Sequence, residues 1–395
     1  MIFFKQKIVW LSTLIVLVVL VVFGAAMMGS VLGTKPKDVP VALVVLDQPA
    51  QLPSGGTLAV GAMMKEKLTA SGQLPISWKL VGSEEAAREG LNDRDYYGAL
   101  ILPADLSAGV ASLAGPSPKP ATVQIIANEG MNTQAATVVK QALGQVIKMA
   151  GAELSASLLE QMGQQADAIP VTAAKSLLSP FQVQEETVHA VGANNASGNA
   201  PGSLTQIMWL GSLVTGVLLF LAGGSARKGG AGRWASVVPQ PVAGIVIVGA
   251  ASAFLVWMAS GWYGMELAQA VDTWLFLWLA GAAFFLLQSA LLNWIGFPAM
   301  AILVLLMFFS MPLLNMAPEF LSSATHDWIY SWTPLRFAAS GTREVMYYGG
   351  LDAVSRNAAV LWSIAGGFLL LQLASAFKKV RAPQAASASS TAAKG

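Results

Sequence analysis

Two short stretches hold the residue types from which chemistry would have to be built. The first is Ser225 to Ser236, with Arg227, Lys228 and Arg233 set among glycines and no carboxylate. Such a run has room to receive a partner, or it only fixes which side of a membrane the loop occupies. The second, Ala317 to Asn357, carries Pro334, Gly341, the pair Arg343 and Glu344, the pair Gly349 and Gly350, and seven aromatic side chains from Phe320 to Tyr348. Proline at a first helical position favours a helix start, so the spacing predicts a short helix from Pro334 to about Val345. It would lie on the outer surface of a membrane or dip into it.

What these stretches lack is as informative. No phosphate-binding G-x-x-x-x-G-K-[ST] loop occurs, so ATP is not bound by that route. The two histidines, His189 and His326, stand apart with no carboxylate spacing that would make a metal site, and read as surface residues. There is no cysteine, which removes disulfides, thiolate metal sites and thiol nucleophiles. No catalytic constellation can be assembled, so the chain does not read as an enzyme, and neither a cofactor nor a nucleic-acid partner is expected.

The elements that position these stretches are set by apolar length. About 20 apolar residues are needed to cross roughly 30 Å of hydrocarbon. Six runs qualify: Ile8 to Met28, Ile207 to Gly224, Val237 to Ala259, Thr273 to Leu292, Phe297 to Met316 and Ala358 to Phe377. The first is too long for the core of a secretory signal and reads as an uncleaved anchor. None of the six contains Asp, Glu, Lys, Arg or His, which disfavours ion coupling through buried charges. Gln288, Ser289, Asn293 and Gln372 enter the membrane and read as interhelical hydrogen-bonding groups. Small residues in the third run, and Gly29 with Gly33, are compatible with close packing or dimerisation.

Threading six helices with both termini inside puts all 21 acidic residues on one side. The other side holds Lys5, Lys7, Arg227, Lys228, Arg233, Lys378, Lys379, Arg381 and Lys394, the arrangement expected of cytoplasmic loops. The fold class is therefore an α-helical polytopic membrane protein with an extracytoplasmic domain between helices 1 and 2. The organisation is 1–29 anchor helix, 30–203 extracytoplasmic domain with its exit linker, 204–381 five-helix membrane domain and 382–395 Ala/Ser-rich disordered tail.

The large domain alternates strand-like and helix-like pieces, the mark of an α/β module. Strands are expected at Val39 to Leu46, Ile76 to Val81, Tyr96 to Leu102 and Thr122 to Ala127. Helices are expected at Leu58 to Ala70, Glu84 to Leu91 and Thr133 to about Ala168. The stretch Gly192 to Ser203 is rich in Gly and Asn and reads as a linker that packs no core.

The block from Pro334 to Gly350, with Gly341, Arg343, Glu344 and the closing Gly349 and Gly350, resembles the last extracellular segment of the YhgE/Pip (phage infection protein) family. That family is related to the permeases of type-2 ABC exporters. Three ectodomain stretches are similar to its strand motifs: Val41 to Asp47, Tyr96 to Pro103 with Tyr97, and Asn128-Glu129-Gly130-Met131-Asn132. The layout of one helix, a large outer domain and five helices also resembles it.

The resemblance implies a bacterial inner-membrane permease that pairs with a second copy and with a separate ATPase. The ATPase would dock at the loop bearing Arg227, Lys228 and Arg233, and an apolar or amphipathic substrate would move outward. The rival reading is a cell-envelope surface or phage-receptor-type protein whose outer domain binds an external partner.

Overall fold

The computed structural model describes residue 21 and residues 36–52, 56–70, 74–113, 115, 117–165 and 171–378. Apart from residue 21, the first apolar run lies outside them, as do Gly29, Gly33 and the tail beyond residue 378.

An α/β lobe comes first. Its strands are β1 (Val39–Val45), β2 (Ala50–Leu52), β3 (Gly56–Leu58), β4 (Ile76–Val81), β5 (Gly98–Leu102), β6 (Ala121–Asn128) and β7 (Phe181–Val188). The helices between them are α1 (Val60–Ala70), α2 (Glu84–Asn92), α3 (Leu106–Ser112), α4 (Thr133–Gln165) and α5 (Val171–Leu177). Five strands form one sheet in the order β4-β1-β5-β6-β7, parallel except where β5 meets β6, and β2 pairs with β3 as a separate hairpin.

The sheet is central because its inner strands are apolar on both faces, as strands covered by helices on each side must be. Val41, Leu43, Leu100 and Ile125 pack under α1, α3 and α4. Their neighbours Ala42, Val44, Ala99 and Ile101 pack against Ala87 and Leu91 of α2. Edge strand β7 is mostly exposed and polar, and for that reason its sequence does not announce a strand.

Asp47, just past β1, is a structural residue. Its carboxylate accepts hydrogen bonds from the Gly61 N–H (2.7 Å), the Ser107 N–H (2.7 Å) and the Ser107 hydroxyl (2.6 Å). It thereby satisfies the first turns of α1 and α3 together, with its charge at the favourable ends of both helices. Pro103 ends β5 and its carbonyl accepts from the Leu106 N–H as α3 begins.

The helical bundle follows: α6 (Ala200–Lys228), α7 (Arg233–Val237), α8 (Pro239–Gly261), α9 (Ala270–Ile295), α10 (Ala299–Ser310), α11 (Pro334–Tyr347) and α12 (Ser355–Ala374). Among the described residues four helical segments are long and apolar enough to cross a membrane: Ala200–Lys228, Arg233–Gly261, Ala270–Ile295 and Ser355–Phe377. Helix α9 is the axis of the bundle, with nearly all side chains from Phe276 to Asn293 buried. Against it, α8 presents glycines: a Cβ at Gly244 would meet the Phe285 ring at 2.0 Å, and one at Gly249 the Trp278 indole at 2.6 Å. The outward faces keep Val214, Leu218, Val242, Val246, Phe254, Ile302 and Leu370 exposed, the surface expected of lipid-facing helices.

Two expectations change. The fifth apolar run forms α10 and a 3-10 turn, Ala299–Leu313, about 22 Å long at 1.5 Å per residue and shorter than the hydrocarbon layer. Pro312 lacks the N–H that a continuing helix needs, and Met316 and Ala317 already belong to the lobe's apolar core. The segment after the lobe is no loose linker either. Asn195 is buried, its amide donates to the Glu266 carbonyl (2.9 Å), and α6 has begun by Ala200.

Candidate functional site

Helix α11 seats the lobe on the bundle. Thr333 is extended, Pro334 starts the helix, and the two faces then separate by helical spacing. Leu335, Ala338, Ala339, Thr342, Val345 and Met346 are buried in the bundle. At Gly341 a Cβ would lie 2.2 Å from the Phe276 ring of α9, so only glycine allows this approach. The helix ends at Gly349 (φ 101°) and Gly350 (φ 90°), two consecutive left-handed residues that a side chain would strain.

The opposite face carries Arg336, Ser340, Arg343 and Glu344 toward the lobe, where they line a cavity of about 500 Å³ together with Arg94, Tyr97, Asn132 and Glu319. Motifs far apart in the chain meet here. Glu344 accepts from Arg94 (2.7 Å) and from the Asn357 amide (2.9 Å). The Tyr348 hydroxyl donates to the buried Asn128 amide oxygen (2.7 Å), while the Asn128 nitrogen donates to the Leu91 carbonyl (2.8 Å). Asn132 caps α4 by accepting from the Ala135 N–H (3.0 Å) and donates to the Asn315 carbonyl (3.1 Å). The Tyr97 hydroxyl donates to Glu319 (2.6 Å). Glu129, next to these residues, forms the turn after β6: its N–H donates to the Val188 carbonyl and its carbonyl accepts from the Thr133 hydroxyl (3.4 Å).

Arg343 occupies an unusual position. Its side chain is partly buried and lines the cavity. One N–H donates to the Leu314 carbonyl at 3.3 Å, and burial lowers its affinity for the proton. Burial also raises Glu344, against the pull of Asn357 and Arg94. Tyr97 is pushed well above the ordinary phenol range by burial and by Glu319, so its hydroxyl stays protonated and keeps donating.

His189 is half-buried. It closes the other side of this seam, with Nδ1 donating to the Tyr347 carbonyl (3.0 Å), Nε2 2.9 Å from the Asn92 amide, and its ring stacked on Tyr348 with centroids 4.1 Å apart. Burial holds its imidazole below the ordinary value.

The end of the bundle away from the lobe has a different character. Arg227 and Lys228 close the last turn of α6, and Arg233 opens α7 after a glycine-rich turn. Arg233 is already engaged: its Nε donates to the Ser375 carbonyl (2.7 Å) and an Nη to the Asn293 carbonyl (3.3 Å). It ties the last turns of α9 and α12 together. Above it lies a buried polar knot. Asn293 donates to Gln240 Oε1 (2.8 Å) and Gln372 to the Ser289 hydroxyl (2.8 Å), joining α8, α9 and α12. Gln288 instead donates to the Trp209 carbonyl of α6 (3.2 Å). Among the described residues this end bears no carboxylate.

The sequence model described as "ABC-2 family transporter protein" matches residues 7–374. The chain belongs to the ABC-2 family of transporter proteins. It is thus a multi-pass membrane component of the ABC transporter class, a kind of protein that usually works with an ATPase. No curated protein and no solved structure matches the chain.

Sequence reasoning missed several residues of this ABC-2 protein's seam. Arg94 sits in a turn at positive φ (67°), and nothing local marks it as the partner of Glu344. Glu319 follows Pro318 in a segment read as interfacial. Away from the seam, Gln240 of the polar knot escaped notice at a helix start beside Pro239 and Pro241, although a glutamine inside an apolar run is a usable signal.

Proposed function

We propose that this ABC-2 protein is the permease subunit of an exporter of the YhgE/Pip group. Six helical segments cross the bacterial inner membrane with both termini in the cytoplasm, the fifth being the short α10 extended by the turns on either side of it. Residues 30–203 form the extracytoplasmic domain, 204–381 the five-helix membrane domain, and 1–29 and 382–395 the anchor and tail. Two copies pair, a separate ATPase docks on the cytoplasmic face, and an apolar or amphipathic substrate moves outward.

The observation that carries this reading is the charge polarity of the bundle. Arg227, Lys228, Arg233 and Lys378 gather at the end away from the lobe, whereas the acids Glu266 and Asp272 lie at the lobe end beside Asn195 and Gly350. Short basic connections stay in the cytoplasm, and a basic turn at the ends of packed helices is a fitting seat for an acidic face of a motor subunit. Arg227 and Lys228 are the docking residues in this reading, whereas Arg233 holds helix ends together.

The test is purification of the intact chain from its native membrane, assayed for a co-purifying ATPase. Arg227→Gln with Lys228→Gln abolishes the association at unchanged yield of folded chain. A folded wild-type chain that brings down no ATPase contradicts the proposal.

A further inference from the structure

We propose that the cavity between the lobe and α11 binds an oxyanion, the phosphate or carboxylate head of an amphipathic molecule, with the Arg343 guanidinium as its main partner. The inference does not depend on an ATPase and holds whichever way the docking experiment falls.

The argument is one of unbalanced charge. Arg343 has five N–H donors and, among the described residues, one hydrogen-bond acceptor, the Leu314 carbonyl. Among the described residues no carboxylate lies within 4.0 Å of it. Burying even part of a guanidinium without a counter-charge is costly, and this one lines the cavity. Arg336 lines the same space, stacked over Tyr330 (4.5 Å) and Phe337 (4.3 Å), likewise without a carboxylate partner.

The acids around the cavity do not neutralise the pair. Glu344 is committed to Arg94 and Asn357. Glu319 accepts from the Tyr97 hydroxyl, and Asp93 is exposed at the rim. What remains is a planar fork of donors of the kind that grips phosphate or carboxylate two oxygens at a time. Met131, Leu313, Leu314 and Met316 supply an apolar wall on which a short tail would lie.

The probe is dihexanoyl phosphatidylglycerol, monomeric in water, titrated into the full chain in uncharged detergent and followed by native mass spectrometry. Inorganic phosphate and dihexanoyl phosphatidylcholine serve as competitors. Wild type binds the glycerol lipid in preference to the choline lipid, and Arg343→Gln weakens that binding roughly ten- to a hundredfold, the span of one or two charge-assisted hydrogen bonds. Glu319→Gln removes a facing negative charge and tightens it. Displacement by inorganic phosphate marks the oxyanion alone as the ligand; resistance to displacement marks a lipid headgroup with its tail.

Absence of binding to wild type overturns the inference, as does equal binding by wild type and Arg343→Gln. Should Arg343→Gln fail to fold by size exclusion, Glu319→Gln decides: unchanged or weaker affinity for the anionic lipid then contradicts the site.

Discussion

The Arg94 guanidinium lies 2.7 Å from the Glu344 carboxylate, and through that contact the turn after α2 in the lobe is fastened to α11 in the bundle. Both side chains are partly buried, and Asn357 adds a second donor to the same carboxylate. The pair also forms one wall of the cavity that Arg343 lines, so the lobe's seating and the cavity's shape are the same structural fact.

Removing one partner leaves the other poorly solvated. Glu344→Gln and Arg94→Met are each expected to destabilise the seam by about 1–2 kcal/mol, less than for a fully buried pair because water still reaches both. A double-mutant cycle by thermal unfolding in detergent checks this, with a coupling of about 1 kcal/mol predicted.

Gly341 allows α11 to lie against Phe276. Gly341→Ala forces a methyl into the ring and is expected to cost about 1–3 kcal/mol, the usual penalty of overpacking. Gly366→Ala in α12 meets nothing within 4 Å and is expected to leave stability at or above that of the wild type. Equal losses in the two variants would show that α11 does not pack as described.

His189 makes the seam sensitive to acid. Its folded value lies below the ordinary imidazole value of 6.5, so folding disfavours the protonated ring. The stability it contributes is complete above that ordinary value and is lost as the pH falls through the lowered one. Thermal unfolding of wild type is expected to weaken between about pH 7 and pH 5, and His189→Gln to flatten that slope. A slope unchanged by the substitution assigns the acid sensitivity to other groups.

Much of the bundle was legible because α6, α8, α9 and α12 are long and free of charge, and length is what a bilayer demands. The fifth run was read too long because hydropathy does not register the helix stop at Pro312 or the pull of the lobe's core on Ala317. Strand β7 was missed because an edge strand with one solvated face, Gln182 to Glu186, looks like any polar segment. Asn195 was assigned to a linker because composition does not show that a buried amide has found the Glu266 carbonyl and the Tyr347 hydroxyl. The motifs at Tyr97, Asn128, Asn132, Arg343 and Glu344 were visible one by one. Their convergence was not, since it depends on how two folded parts dock.

The polar knot offers a test inside the bundle. Gln240→Leu leaves the Asn293 nitrogen without its 2.8 Å acceptor and is expected to cost about 0.5–2 kcal/mol, in line with hydrogen bonds between membrane helices. Ser363→Ala, whose exposed hydroxyl donates only to the Ala359 carbonyl of its own helix, is expected to be near neutral by the same thermal assay.

The orientation that sets the lobe outside and the basic end toward an ATPase has a direct test, because a chain with no cysteine accepts a single reporter cleanly. Glu85→Cys on the exposed face of α2 and Lys228→Cys at the end of α6 are each treated with a membrane-impermeant maleimide. In intact cells stripped of outer barriers the account predicts labelling at position 85 and none at 228, with the pattern reversed in inverted vesicles. Labelling at 228 but not at 85 in the intact cells would turn the protein upside down and contradict the exporter account.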